Sequence, residues 1–135
     1  MQGRRPLRVL VLDDNAHSAR LMKAVLDGAG LETRECFDAR AALEALEFWP
    51  CDVVVTDYEM NPMRGPDFVR LLRRHPSLSI RDLAVLMVTA FADQAHVLEA
   101  RSAGVDGLIQ KPFAPALMLE RLKSVLQRSQ ERRAA

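Results

Sequence analysis

The chain has 135 residues, 49% of them hydrophobic and 27% charged, with 19 Lys and Arg against 18 Asp and Glu. That length suits one domain burying roughly two thirds of its unfolded surface, and the composition is not that of a disordered segment or of a membrane helix. The net charge of +1 conceals a basic start (Arg4, Arg5, Arg8) and a basic end over 114–135, around a middle with 11 bases and 16 acids, a distribution that argues against a nucleic-acid groove.

Residues 1–7 read as a basic N-terminal extension. The apolar run behind them is ended by Asp13 and Asp14, too soon for a signal peptide, so a soluble cytoplasmic protein is expected. Val9–Leu12 is a continuous apolar run that predicts a buried strand. Met22, Val25, Leu26 and Ala29 recur at helical spacing and stop in the Gly28–Gly30 region. Glu32–Cys36 is polar enough to be an edge strand. Asp38 is placed to cap a second helix carrying Ala39, Ala42, Leu43 and Leu46. Val53–Val55 predicts a third strand, and Phe68, Leu71 and Leu72 a third helix ending before Pro76. Ala84–Val88 predicts a fourth strand, followed by a helix with Val97, Leu98 and Ala100 closed by Gly104. Gly107–Gln110 is the other edge strand, and Met118, Leu122, Val125 and Ser129 mark a fifth helix. The folded unit is expected over 8–128, with 129–135 a frayed tail. Cys36 and Cys51 form no C-x-x-C pair and the three histidines are scattered, so neither zinc nor a disulfide is expected.

Five alternating β-α units predict a flavodoxin-like, doubly wound α/β domain with parallel strand order 2-1-3-4-5. Ligands of such sheets bind beyond the carboxyl ends of the strands. Asp13 and Asp14, Asp57, Thr89 and Lys111 each follow or end a strand and therefore converge there. Read singly, Asp13 and Asp14 could be N-caps, Asp57 a turn cap and Lys111 solvated surface. Read together, three carboxylates in one cleft conflict electrostatically unless a divalent cation joins them, and an all-oxygen donor set favours Mg²⁺. Lys111 adds a cation for a second anion and Thr89 a hydroxyl donor, which describes a metal-bound phosphoryl site with an aspartate as nucleophile. Neither a Gly-x-x-x-x-Gly-Lys-Ser/Thr loop nor Gly-x-Gly-x-x-Gly is present, so ATP and NAD are not expected ligands.

The ordered set Val9-Leu10-Val11-Leu12-Asp13-Asp14-Asn15, Val54-Val55-Thr56-Asp57-Tyr58-Glu59-Met60 with Gly65 eight positions after Asp57, Val88-Thr89-Ala90, and Ala103-Gly104-Val105-Asp106-Gly107 leading to Lys111-Pro112-Phe113 resembles the receiver domain of bacterial two-component response regulators, the CheY-like superfamily. The resemblance implies that Asp57 takes a phosphoryl group from a phosphohistidine of a sensor histidine kinase or a phosphotransfer protein. It implies Mg²⁺ on Asp14, Asp57, the backbone carbonyl of Glu59 and, directly or through water, Asp13. It assigns Lys111 and Thr89 to phosphate oxygens, a cis bond to Lys111-Pro112, and output to the face made by the fourth helix, fifth strand and fifth helix.

This chain departs from the family in three places. Asn61 stands where proline is usual, with Pro62 next; Arg64 replaces a common acid; and Leu108 replaces the usual aromatic, so the threonine–aromatic switch cannot work in its usual form. Glu59 and Phe91, each two beyond a motif residue, are expected to tune phosphoryl lifetime. The expectation is a single-domain signalling receiver rather than an enzyme. It should be a monomer or weak dimer with a protein partner, no attached DNA-binding domain, and neither nucleic acid nor membrane as partner. The rivals are a degenerate receiver that binds protein without phosphorylation, and an aspartate-nucleophile phosphatase, for which Asp57 and Glu59 have the acid spacing but on an unexpected strand.

Overall fold

The strands form where the apolar runs are. In a computed structural model describing residues 5–134, β1 (Arg8–Leu12), β2 (Glu32–Cys36), β3 (Val53–Asp57), β4 (Ala84–Thr89) and β5 (Gly107–Gln110) make one parallel sheet in the order β2-β1-β3-β4-β5. Central strands β3 and β4 are buried at every position, whereas edge strand β2 alternates exposed and covered residues, matching its polar sequence. The basic extension 1–7 lies outside the described residues over 1–4, and Arg5 pairs with Asp52 at 2.9 Å.

Strand pleating splits the core in two, because successive side chains point to opposite faces. Leu10, Leu12, Val54, Val85 and Met87 meet the helices α2 (Ala39–Phe48), α3 (Gly65–Leu72) and α5 (Gln94–Ala103). Val9, Val11, Val55, Leu86 and Val88 meet α1 (Ala16–Gly28) and α6 (Pro115–Ala134). Helix starts are set by side-chain caps: Asn15 accepts from Ser18 N–H at 2.9 Å, Asp38 from Ala41 N–H at 2.7 Å, and Asp93 from His96 N–H at 3.0 Å. The cap of α1 is thus Asn15, which leaves Asp13 and Asp14 for other work. Gly104 ends α5 in the left-handed region at φ 104°, where a side chain would be strained.

Three expectations need correction. A single helical turn, α4 (Leu78–Arg81), lies between α3 and β4. Leu71, Leu98 and Ala29 are exposed; on α5 the buried residues are Ala100 and Ala103. The stretch from 129 is no frayed tail: α6 continues to Ala134, with Ser129 buried and donating to Asp82 O at 3.0 Å and Arg132 donating to Asp106.

Candidate functional site

Each expected residue reaches the carboxyl end of the sheet through its strand. Asp13 follows β1, its N–H donating to Cys36 O at 3.1 Å; Asp57 closes β3, and the next N–H, of Tyr58, donates to Val88 O at 2.8 Å. Thr89 closes β4, and Lys111 N–H donates to Thr89 O at 2.8 Å, so the ends of β3, β4 and β5 are stitched together. Gly65 N–H donates to Tyr58 O at 2.9 Å, folding the β3–α3 loop back on itself; a Cβ at Gly65 would collide with the Asp57 carbonyl oxygen, so only glycine fits there.

The structure brings Asp13, Asp14 and Asp57 together, with one carboxylate oxygen from each inside a cluster spanning no more than 4.8 Å. Asp13 and Asp57 are buried and Asp14 is exposed. Asp13 Oδ1 accepts from Asn15 N–H at 2.9 Å and Asp14 Oδ2 from Asn61 N–H at 3.0 Å. Asp13 Oδ2 and Asp57 Oδ1 are buried without a hydrogen-bond partner among the described residues. Lys111 Nζ lies 3.0 Å from Asp57 Oδ1, an ion pair that lacks the alignment of a hydrogen bond.

The electrostatics follow from that burial. Loss of solvent, against the pull of Lys111 and with the push of Asp13 and Glu59, raises the Asp57 carboxyl to about 6. Burial raises Asp13 as well, opposed by the Asn15 N–H and Lys111. Native proteins seldom leave buried carboxylate oxygens unpaired. Oxygen-only donors, two of them orphaned, fit a small hard dication, so these residues are chemically suited to Mg²⁺.

Thr89 is where expected but already engaged. Its hydroxyl donates to Glu59 Oε2 at 2.7 Å, while Ala90 N–H donates to Glu59 Oε1 at 3.1 Å. Thr89 Oγ1 also accepts Phe91 N–H at 3.0 Å, and the Phe91 ring is exposed. The Glu59 side chain therefore fills a two-donor seat beside Asp57. The Lys111-Pro112 bond is cis, and so is Asn61-Pro62, within the loop where the sequence departs from the family. Leu108 lies in a groove of about 690 Å³ between α5, β5 and α6, away from the acids.

One cluster escaped the sequence reading. Tyr58, 5% exposed, donates its hydroxyl to Glu99 Oε1 at 2.6 Å, and Arg64 donates to both Glu99 oxygens at 3.0 and 2.5 Å. Arg64 and then Tyr58 hold the Glu99 carboxyl down to about 2, while burial, then Glu99, pushes Tyr58 up to about 12. Tyr58 and Glu99 are 41 positions apart, a separation at which no periodicity or motif pairs them.

Residues 9–123 match the family described as the response regulator receiver domain. The chain is 37% identical to chemotaxis protein CheY-3 of Vibrio cholerae, covering 90% of this chain and 93% of that protein. It is 35% identical to chemotaxis protein CheY of Pseudomonas aeruginosa, covering 90% and 98%. Among solved structures, chemotaxis response regulator CheY4 of Vibrio cholerae overlays with a TM-score of 0.81 at 28% identity, covering 90% of this chain and 99% of that one. A response regulator from Chloroflexus aurantiacus overlays with a TM-score of 0.84 at 28% identity, covering 91% and 99%. The flavodoxin-like fold, the acidic cluster at the strand ends and these matches agree: the chain belongs to the response regulator receiver family of two-component signalling, as a signalling module related to CheY.

Proposed function

We propose that Asp57 accepts a phosphoryl group from a phosphohistidine of a sensor histidine kinase or phosphotransfer protein. The observation that carries this reading is the pairing of an orphaned, buried Asp57 carboxylate with Lys111 at 3.0 Å inside a three-carboxylate cluster. An Asp57 oxygen attacks phosphorus, the P–N bond to the donor imidazole breaks, and its electron pair returns to the imidazole nitrogen, which takes up a proton. An acyl phosphate remains on Asp57. Lys111 stays beside Asp57 and balances charge on the transferred group. Thr89 Oγ1 and Ala90 N–H offer two donors to its oxygens once Glu59 moves aside. The carboxylates of Asp13, Asp14 and Asp57 and the backbone carbonyl of Glu59 would hold Mg²⁺. When bound, that ion neutralises the acids and the phosphoryl oxygens.

Glu59 and Phe91 flank the seat and tune how long the phosphoryl group persists. Output is a population shift read by a protein partner at the α5–β5–α6 groove, which Arg101, Arg121 and Arg128 line. The receiver unit begins at residue 8, includes α6 to Ala134, and works in the cytoplasm as a monomer or weak dimer. No helix among the described residues is long and apolar enough to cross a membrane.

Acetyl phosphate with Mg²⁺ tests the reading. One phosphoryl group per chain by intact mass, absent in Asp57→Asn, supports it. Steady turnover of acetyl phosphate would instead indicate a phosphatase, and neither labelling nor turnover a degenerate binding module.

A further inference from the structure

Between Asp57 and the α5–β5–α6 groove lies a route that bypasses Leu108. The first turns of α5 have little apolar anchorage: no residue over 94–99 is buried, and the first that is, Ala100, is the seventh of the ten in the helix. Polar contacts hold them instead. Tyr58 and Arg64 together place three hydrogen bonds on Glu99, the Tyr58 and His96 rings lie 4.9 Å apart, and Arg70 of α3 reaches Glu99 at 3.6 Å. Tyr58 and Arg64 bracket the loop whose Glu59 occupies Thr89 and Ala90. One short segment thus grips both the proposed phosphoryl seat and the helix that contributes Val97, Ala100 and Arg101 to the groove.

The two grips share one short segment of chain. Thr89 has one hydroxyl proton and Ala90 one amide proton. A phosphoryl oxygen can accept them only after the Glu59 carboxylate has left, and Glu59 is the residue next to Tyr58 in the chain.

We propose that the loop from Tyr58 to Arg64 is this chain's transmission element: displacement of Glu59 from Thr89 and Ala90 shifts the loop, and the hold of Tyr58 and Arg64 on Glu99 passes that shift to α5 and the groove. The inference rests on Asp57 as phosphoacceptor. It gives the chain a polar linkage where Leu108, an aliphatic residue lining the groove, has no hydroxyl to offer.

Amide hydrogen exchange over 94–103 in the full chain tests it. The states are metal-free, with Mg²⁺, and with Mg²⁺ plus acetyl phosphate; the proteins are wild type, Tyr58→Phe, Glu99→Gln and Glu59→Ala. Phosphorylation of the wild type is expected to change protection of the first turns of α5 by roughly fivefold or more, the scale of one charge-assisted contact made or lost. Tyr58→Phe and Glu99→Gln are expected to take up the same phosphoryl group by intact mass, yet leave α5 unresponsive. Glu59→Ala, with no phosphodonor present, is expected to shift α5 toward the phosphorylated pattern. A wild-type α5 response in both Tyr58→Phe and Glu99→Gln, or no α5 change in labelled wild type, overturns the inference and leaves the phosphoacceptor standing. Absence of labelling in the wild type overturns the phosphoacceptor reading itself, whereas an unaltered α5 in Glu59→Ala counts against the linkage alone.

Discussion

Two buried aspartates lie at opposite ends of the same sheet, and the chain treats them differently. Asp106, ahead of β5, accepts Val85 N–H at 2.9 Å and Arg73 Nη2 at 3.0 Å, and is bonded by Arg132 as well. Arg73 is itself satisfied by the carbonyls of Gly104, Arg81 and Leu83. Asp57, 4% exposed, has only Lys111, 3.0 Å from an oxygen that accepts no well-aligned hydrogen bond. A buried charge with all its partners locks a fold; one left short of partners stores a demand for a ligand. The amino end of the sheet closes its charge with partners, whereas the carboxyl end leaves its carboxylates short of them.

The largest test of that contrast is Asp106→Ala, which leaves the half-buried Arg73 guanidinium without its counter-charge and the Val85 N–H without its side-chain acceptor. Urea unfolding should show a loss of about 3–5 kcal/mol; a loss under about 1 kcal/mol would remove the distinction between the two ends. Asp57→Asn should do the opposite. Burial raises the folded Asp57 carboxyl from its ordinary 3.8 to about 6, so ionisation penalises the folded state above that pH. In metal-free protein near about pH 7.5 the substitution should stabilise by about 1–3 kcal/mol, with the gain shrinking as pH falls through about 6 and gone near about 4. A gain that is flat with pH would mean that the Asp57 charge is not its source. Arg132→Ala removes the more exposed of the two Asp106 partners while Arg73 stays, so a loss of about 1 kcal/mol is expected. The smallest effect concerns Glu59→Ala, which frees Thr89 and Ala90 for the phosphoryl group. Its loss should slow by roughly three- to tenfold, the worth of about one hydrogen bond, and an unchanged rate would detach Glu59 from the seat.

Much of the carboxyl-end cluster was legible because its residues sit one or two steps beyond the expected strands: Val9–Leu12 points to Asp13 and Asp14, Val53–Val55 to Asp57, Ala84–Val88 to Thr89, and Gly107–Gln110 to Lys111. Strand order followed from the polarity of Glu32–Cys36. What escaped depends on tertiary contact. Helical spacing shows that Leu71 and Leu98 recur with apolar neighbours, not that a partner covers them, and both are exposed. Four residues of α4 carry no period to detect. Arg132 looks like a solvated tail because a polar residue reveals its anchorage only when Asp106 comes near. The Glu99 cluster was hidden likewise, since its partners arrive from another unit of the chain.

Whether the unpaired carboxylate oxygens at the strand ends await a cation is the decisive point. Thermal unfolding near about pH 7.5, with chelator and with Mg²⁺, reads this directly, because a ligand that binds only the folded state stabilises it by mass action. Wild type should gain stability with Mg²⁺ in proportion to the logarithm of its concentration, while Asp57→Asn, already relieved of its buried charge, should gain little. Equal gains in the two proteins, or none in wild type, would contradict the claim that the buried acids form a metal-dependent phosphoryl site.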